Sequence, residues 1–357
     1  MADLAPEPQH ALPDPPPETA TARPRAAWPV FGALDLGTNN CRLLLATPGQ
    51  AGPRVVESFS RAVRLGEGLA ATGVLSDAAM TRAIEALAAC ASRLQRRPVR
   101  RLRAVATEAC RRASNGAAFV ARAEAETGIA LSIINTREEA ELAVESCLTL
   151  LAQDPAQAER RAVLFDIGGG STEVAFVRLS PVQPPAIIGY TSLPAGVIAL
   201  AEKFGLQPAT VPDSQAYFAA MVDYVLGLLA PFESVHRITQ EVAQGGVRLL
   251  GTSGTATTLA GVALDLPCYR RAWVDGVTLE SEVADDALAR ILSLTPEGIV
   301  AHPCIGPDRA EFVLPVCAVY AAIRTLWPAP RITVADRGLR EGILLRLMRD
   351  ETTRRGR

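Results

Sequence analysis

Two carboxylates in the middle of the chain flank a run of glycines and hydroxyl residues. Asp166 follows the apolar run 162–165, and Glu173 opens the next apolar run. The residues that separate them include Gly168, Gly169, Gly170, Ser171 and Thr172. Glycine lets backbone N–H groups approach a phosphate without a Cβ in the way. The carboxylates would repel phosphate unless a divalent cation lay between them. The stretch therefore predicts a site for phosphate and a metal ion.

A shorter version of the same arrangement occurs near the start of the chain. Asp35 lies close to the end of the apolar run 31–36, and a second apolar run covers 41–46. The turn between these runs contains Gly37, Thr38 and Asn39. Two copies of one pattern indicate duplicated domains. Two such turns facing across a cleft would grip a phosphate from both sides. Each Asp-x-Gly alone is also an ordinary turn, since both residues favour turns.

Glu139 and Arg111 also have positions that suit phosphate chemistry. Glu139 lies at the start of a predicted helix 136–151 that connects the two predicted domains, so its carboxylate could face the cleft as a general base. It could instead complete a capping box with Thr136. Arg111 follows the predicted strand 102–106, at the sheet edge where ligands bind, and its planar guanidinium matches phosphate oxygens. An ordinary surface arginine is the alternative.

Composition narrows the possible classes of protein. The 357 residues are enough for two domains, 49% of them are hydrophobic, and the net charge is −2. The seven cysteines are scattered, which fits reduced thiols in a cytoplasm. We expect no signal peptide, no membrane partner and no nucleic-acid partner. Lys203 is the only lysine, so the Gly-Lys-Ser/Thr of a P-loop is absent.

The chain divides into four predicted segments. Residues 1–29 form a Pro- and Ala-rich disordered tail, and 349–357 form a frayed Arg-rich tail. The ranges 30–138 and 139–348 form the two domains, with a final helix that could pack back on the first domain.

Two further features of the sequence could bind anions. A third glycine-rich turn, 251–255, precedes a predicted helix and suits an anion. Six arginines between positions 93 and 103 could bind a polyanion, but we favour a solvated helix end.

Taken together, the motifs resemble those of the exopolyphosphatase and guanosine pentaphosphate phosphohydrolase family, within the superfamily of actin, sugar kinases and heat-shock ATPases. The resemblance spans about residues 31–347. It rests on six stretches in family order, namely 35–39, 106–111, 138–140, 166–173, 251–255 and 336–342. It implies an α/β fold of two ribonuclease-H-like domains around a central cleft.

The same resemblance implies roles for the site residues. Glu139 matches the carboxylate that activates water. Asp166 and Glu173 match positions linked to the divalent metal, Mg²⁺ or Mn²⁺, and Asp35 faces them. The positions that match phosphate contacts are Gly37, Thr38, Asn39, Arg111, Gly168, Gly169, Gly170, Ser171 and Thr172.

Three functions remain open at this point. The one we favour is an exopolyphosphatase that releases orthophosphate from the end of inorganic polyphosphate. The second is a hydrolase that removes the 5′ phosphate of guanosine pentaphosphate, and the third is a nucleotide-gated binding protein or kinase. The sequence departs from the family pattern in two ways. Val316 occupies a position where glycine is expected. We also expect the chain to lack the C-terminal helical domains of long family members, which bears on processivity. The oligomeric state that we consider is a homodimer.

Overall fold

The computed structural model describes residues 28–50, 52–152, 159–205 and 214–355. Most of the predicted tail 1–29 lies outside these ranges. The predicted tail from 349 onward is described only as far as Arg355, and up to that residue it is helical.

The first half of the chain forms a five-stranded sheet. Its strands are β1 Val30–Leu36, β2 Asn40–Gly49, β3 Gly52–Ala62, β4 Val99–Ala106 and β5 Leu131–Ile133. The spatial order is β3-β2-β1-β4-β5, in which β1, β2 and β3 are antiparallel neighbours while β4 and β5 join in parallel. The helices of this half are α1 Leu69–Thr72, α2 Asp77–Gln95, α3 Glu108–Arg112 and α4 Gly116–Thr127.

The second half repeats this arrangement in a six-stranded sheet. Its strands are β6 Arg161–Ile167, β7 Thr172–Arg178, β8 Ala186–Leu193, β9 Val247–Thr252, β10 Thr278–Glu280 and β11 Arg331–Ala335. The order is β10-β11-β9-β6-β7-β8. Again three antiparallel neighbours, β6 to β8, are followed by parallel pairing of β6 with β9 and of β9 with β11. The duplication predicted from the two Asp-x-Gly turns is therefore confirmed, as is the α/β fold class.

Helices connect and cover the second sheet. They are α5 Thr136–Ser146, α6 Leu148–Leu151, α7 Val197–Phe204, α8 Ser214–His236, α9 Ile238–Ala243, α10 Ser253–Ala263, α11 Arg271–Val274, α12 Ser281–Leu292, α13 Pro296–Ala301, α14 Pro307–Ala310 and α15 Val313–Leu326. The last helix is α16, Leu339–Arg355. The predicted helix 136–151 was wrong in its continuity, because it is interrupted at Cys147, between α5 and α6.

Strand β6 is buried on both faces, which is why its sequence is apolar without alternation. Val163 and Phe165 pack into the large core beneath α8, α10, α12 and α15, whereas Ala162 and Leu164 pack against the α5 and α6 side. Asp166 lies on the same face of β6 as Ala162 and Leu164. The strand therefore delivers its carboxylate to the side of the sheet that α5 covers.

Helices α5 and α16 cross between the two sheets. Leu339, Ile343 and Leu347 of α16 pack on Phe31 and neighbouring residues of the first sheet. At the crossing a Cβ on Gly342 would lie 2.1 Å from the carbonyl oxygen of Leu142, so only glycine lets the helices approach this closely. Helix α5 runs through the proposed domain boundary at 138–139 without interruption, and that boundary stays a prediction.

Within the described ranges, α8 is the one helix that passes a membrane-span test of length and composition, over Gln215–His236. Its Met221, Val225, Leu229 and Phe232 are buried, and the last three belong to the second-half core. A long apolar helix of this kind also occurs at the core of globular proteins.

Candidate active site

A cavity of about 850 Å³ opens between the two sheets, and residues of both glycine-rich turns line it. The predicted site residues that line it are Asp35, Gly37, Thr38, Asn39, Glu139, Asp166, Gly168, Gly169, Gly170, Ser171 and Glu173. Arg111 and Thr172 are the two predicted site residues that lie outside this lining. Tertiary structure thus brings together segments that are up to about 140 residues apart in the sequence.

The two glycine-rich turns face each other in direct contact. A Cβ on Gly170 would lie 2.7 Å from Thr38 Oγ1, and a Cβ on Gly169 would lie 3.1 Å from Asn39. Each turn follows an interior strand of its own sheet, β1 in the first and β6 in the second. A side chain at Gly170 would push them apart. Two turns in contact beside a cavity suit a small anion that is held from both sides.

Glu139 does not cap helix α5. The cap is Asn135, whose side chain accepts a 2.9 Å hydrogen bond from the Glu138 backbone N–H, so the capping box predicted from Thr136 was wrong. Glu139 instead lies one turn before Ala143, which packs on the second sheet. Because residues four positions apart lie on the same face of an α-helix, Glu139 lies on the face of α5 that meets the second sheet, and its carboxylate faces the cleft.

Arg111 holds Glu139 in place. Its Nη1 donates to Glu139 Oε2 at 3.0 Å and to the Ile134 carbonyl at 2.8 Å, and its Nη2 donates to Glu108 Oε2 at 2.8 Å. The Arg111 side chain is 20% exposed, and that of Glu139 is 13% exposed. In this structure the guanidinium therefore orients a carboxylate, whereas its predicted phosphate contact stays a prediction.

Asp166 and Glu173 sit directly opposite each other on β6 and β7. Glu173 Oε1 accepts hydrogen bonds from Ser171 Oγ at 2.6 Å and from Ser192 Oγ at 2.9 Å. Ser192 is the residue opposite Glu173 on β8, and sequence reasoning missed it because only the strand register reveals it. The Thr172 hydroxyl points elsewhere, donating to the Ala195 carbonyl at 2.7 Å.

The cleft holds more negative charge than the nearby arginines balance. Burial, and then the charge of Glu173, raise the pKa of Glu139 well above its ordinary value, although Arg111 opposes the rise. Burial raises the pKa of Glu173 to about 7 despite its two hydroxyl donors. Burial also raises the pKa of Asp35, and the nearby Asp166 adds to the effect. An added cation would lower the energy of all these carboxylates.

The site fits a hydrated divalent cation better than a preformed metal cage. Across the described ranges, no group of three or more His, Cys, Asp or Glu side chains is gathered tightly enough to enclose an ion. Mg²⁺, however, commonly keeps several waters and takes only one or two carboxylates. Asn39 Oδ1 is buried beside the cavity, and no residue that the structure describes donates a hydrogen bond to it; a water on a cation would supply one. Asp35, Asp166 and Glu173 are therefore suitable oxygen donors.

Four of the six arginines in the stretch 93–103 form ion pairs with three carboxylates. Arg93 and Arg97 both pair with Glu57, Arg100 pairs with Glu351, and Arg103 pairs with Glu138. These pairs agree with the preferred interpretation of a helix end and the strand after it.

Comparison with known proteins gives a consistent result. The model of the Ppx/GppA phosphatase family matches residues 46–351. The chain is 28% identical to exopolyphosphatase 2 of Mycobacterium tuberculosis over 329 residues, which cover 88% of this chain and 97% of that protein. It is also 28% identical to the guanosine-5′-triphosphate,3′-diphosphate pyrophosphatase of Photobacterium profundum, over 66% of this chain and 44% of that protein.

A solved structure shares the fold over nearly the same length. The crystal structure of an exopolyphosphatase from Cytophaga hutchinsonii aligns with a TM-score of 0.76 and 24% sequence identity, covering 90% of this chain and 98% of that chain. At this identity the likeness concerns the fold.

Proposed function

The chain belongs to the Ppx/GppA phosphatase family, and from that premise we propose that it is an exopolyphosphatase, which hydrolyses the terminal phosphoanhydride of inorganic polyphosphate. The observation that carries the proposal is the contact between the two glycine-rich turns beside a buried carboxylate. Gly169 and Gly170 meet Thr38 and Asn39 across the cavity, and Glu139 lines the same cavity. Hydrolysis of a phosphoanhydride needs a gripped phosphate and a positioned water, and these parts would supply both.

In the proposed mechanism, Glu139 orients a water and accepts its proton. The water oxygen bonds to the terminal phosphorus as the bridging P–O bond breaks, which yields orthophosphate and a chain shorter by one unit. Arg111 keeps the Glu139 carboxylate in place through its 3.0 Å hydrogen bond. Backbone N–H groups of the turns at 37–39 and 168–172 would hold the oxygens of the terminal phosphate.

Asp166 and Glu173, with Asp35 opposite, would hold the divalent cation, for which we propose Mg²⁺ or Mn²⁺. Such an ion neutralises charge on phosphate oxygens when it is bound. The hydroxyls of Ser171 and Ser192 keep one oxygen of Glu173 fixed, which supports an orienting role for both serines.

Guanosine pentaphosphate is the second candidate substrate. Part of the cavity lining is apolar, and it includes Leu288, Ile291, Phe312, Val316 and Tyr320. These residues could contact a nucleoside, whereas inorganic polyphosphate has no apolar part. The length of the sequence matches favours inorganic polyphosphate as the substrate, because the exopolyphosphatase relative matches over 88% of this chain and the pyrophosphatase relative over 66%.

The compartment and partners follow from the same proposal. All seven cysteines are free thiols, which supports the cytoplasm as the compartment. We propose inorganic polyphosphate as the partner, and no nucleic acid or membrane. A homodimer stays a prediction.

Release of orthophosphate tests the proposal. The protein is incubated with long-chain polyphosphate or guanosine pentaphosphate, with Mg²⁺, with Mn²⁺ or with a chelator. We expect faster metal-dependent release from polyphosphate. Preference for the nucleotide would make the second substrate the correct one, and release unaffected by chelation would contradict the metal assignment.

A further inference from the structure

A row of three side chains leads from the reaction centre to the edge of the first sheet. Asp35 on β1 lies opposite Arg42 on β2, and Arg42 lies opposite Ser60 on β3. Directly opposed residues project from the same face of a sheet, and all three line the cavity. Since neighbouring strands are ~4.8 Å apart, two strand-to-strand steps carry the row roughly 10 Å from Asp35.

Arg340 adds a second positive charge beside this row. It lies in the first turn of α16, which packs over β1 to β3, and it also lines the cavity. Both Arg42 and Arg340 act on Asp35 and lower its pKa, so both guanidiniums lie near the start of the row. Burial lowers the pKa of Arg340; the charge of Glu341 opposes this change, and the nearby Arg42 adds to it. Two guanidiniums beside the same cavity suit a ligand that carries several phosphate groups.

The other arginines that line the cavity are already engaged. Arg64 pairs with Glu311, Arg309 donates to Thr258, and Arg337 pairs with Asp275. In the portion of the chain that the structure describes, no ion pair or side-chain hydrogen bond occupies the guanidinium of Arg42 or Arg340. These two are therefore the cavity arginines whose donors are available to a ligand.

We propose that Arg42, Ser60 and Arg340 form a polyphosphate track, which binds the phosphates that follow the terminal one and gives the enzyme its preference for chains over short phosphates. The inference rests on the proposed function, since it assigns the path of the same substrate. The track would bind inner phosphates through the planar forks of two arginines and one hydroxyl, while the two glycine-rich turns hold the reacting phosphate. The three residues are specificity determinants and take no part in bond cleavage.

The test measures binding and turnover against chain length. Arg42→Gln, Arg340→Gln and Ser60→Ala are made in the wild-type chain and in a Glu139→Gln background. Arg61→Gln is the matched control, because Arg61 adjoins Ser60 on β3 but lies opposite Cys41, on the other face of the sheet. Turnover is measured with tripolyphosphate and with long-chain polyphosphate, and equilibrium binding of the same two compounds is measured in the Glu139→Gln background.

Each arginine variant should weaken binding of long chains about 10- to 100-fold, as expected for the loss of a charge-assisted hydrogen bond. Ser60→Ala should have a smaller effect, on the order of a few fold, as expected for a neutral hydrogen bond. Tripolyphosphate should be affected less, because it offers only two phosphates beyond the reacting one, whereas a long chain can occupy the whole track. The value of kcat should change little, and Arg61→Gln should behave as wild type. Arg340→Lys should recover part of the lost binding, because it keeps the charge without the fork.

Three results would decide against parts of this account. Losses that are equal for tripolyphosphate and long chains would overturn the track, since the arginines would then only support Asp35. Unchanged long-chain binding in both arginine variants would overturn it as well. If the wild-type protein binds long chains but releases no orthophosphate, the proposed hydrolysis is wrong, while length-dependent binding losses would still support the track.

Discussion

Replacing Arg111 with glutamine would remove the guanidinium that joins Glu139 to Glu108. The wild-type side chain donates one hydrogen bond to each carboxylate, at 3.0 Å and 2.8 Å. Glutamine is too short to reach both and carries no charge. The substitution therefore leaves two carboxylates, 13% and 11% exposed, without their shared counter-charge.

The size of the effect follows from this burial. Removing one partner of a largely buried ion pair costs about 3–5 kcal/mol, because the remaining charge is left uncompensated. Each charge-assisted hydrogen bond contributes about 1.5–3 kcal/mol. If the hydrogen bond from Arg111 to Glu139 stabilises the transition state by this full amount, its loss should lower kcat/KM about 10- to 100-fold.

The pH dependence of activity and stability identifies Glu139 as the group affected. Arg111 opposes the rise in the pKa of Glu139 that burial causes. Without it the pKa rises further, so the acid limb of kcat/KM should move to higher pH. A carboxyl with a higher pKa in the folded state binds more protons when folded, so the free energy of unfolding decreases as pH rises through that pKa. The variant should therefore lose more stability near about pH 8 than near about pH 5.

The assays are a pH series of kcat/KM with long-chain polyphosphate and urea unfolding at the two pH values. Arg112→Gln is the control, because Arg112 lies on the same helix, is 41% exposed, and approaches Glu108 only to 3.7 Å. An acid limb that coincides with that of wild type would refute the assignment of Arg111 as the residue that orients Glu139. A loss of activity independent of pH would instead favour direct contact of Arg111 with phosphate.

Three further substitutions test the rest of the site. Glu139→Gln should leave folding intact and reduce kcat by about 10²–10⁴-fold, the usual contribution of a general base; near-normal phosphate release would contradict its role. Asp166→Asn should weaken the response of activity to Mg²⁺ in a metal titration, and an unchanged titration curve would remove Asp166 from the metal site. Gly170→Ala should lower activity at least about tenfold, because its Cβ would lie 2.7 Å from Thr38 Oγ1 and force the two turns apart. Thermal unfolding of each variant separates loss of the site from loss of the fold.

Local sequence was sufficient to predict the two Asp-x-Gly turns and the strands around them. Predicted runs such as 31–36 and 162–165 lie within β1 and β6, because apolar segments bounded by glycine leave few alternatives to a buried strand. Helix boundaries were less predictable. Thr136 and Asn135 are both good caps, and the sequence does not show which backbone N–H the side chain will meet.

The sequence by itself determined that this chain carries two copies of one strand-turn-strand unit, each with a carboxylate and a glycine-rich turn, because those features depend on residue type and spacing. Only the tertiary structure decided which side chains share the cleft. Arg111 turned to Glu139, Ser192 reached Glu173 through the register of β8, and Arg42 and Arg340 gathered beside Asp35. The physical reason is that such contacts join residues far apart in the chain, and their geometry is set by strand register and by the crossing of α5 and α16.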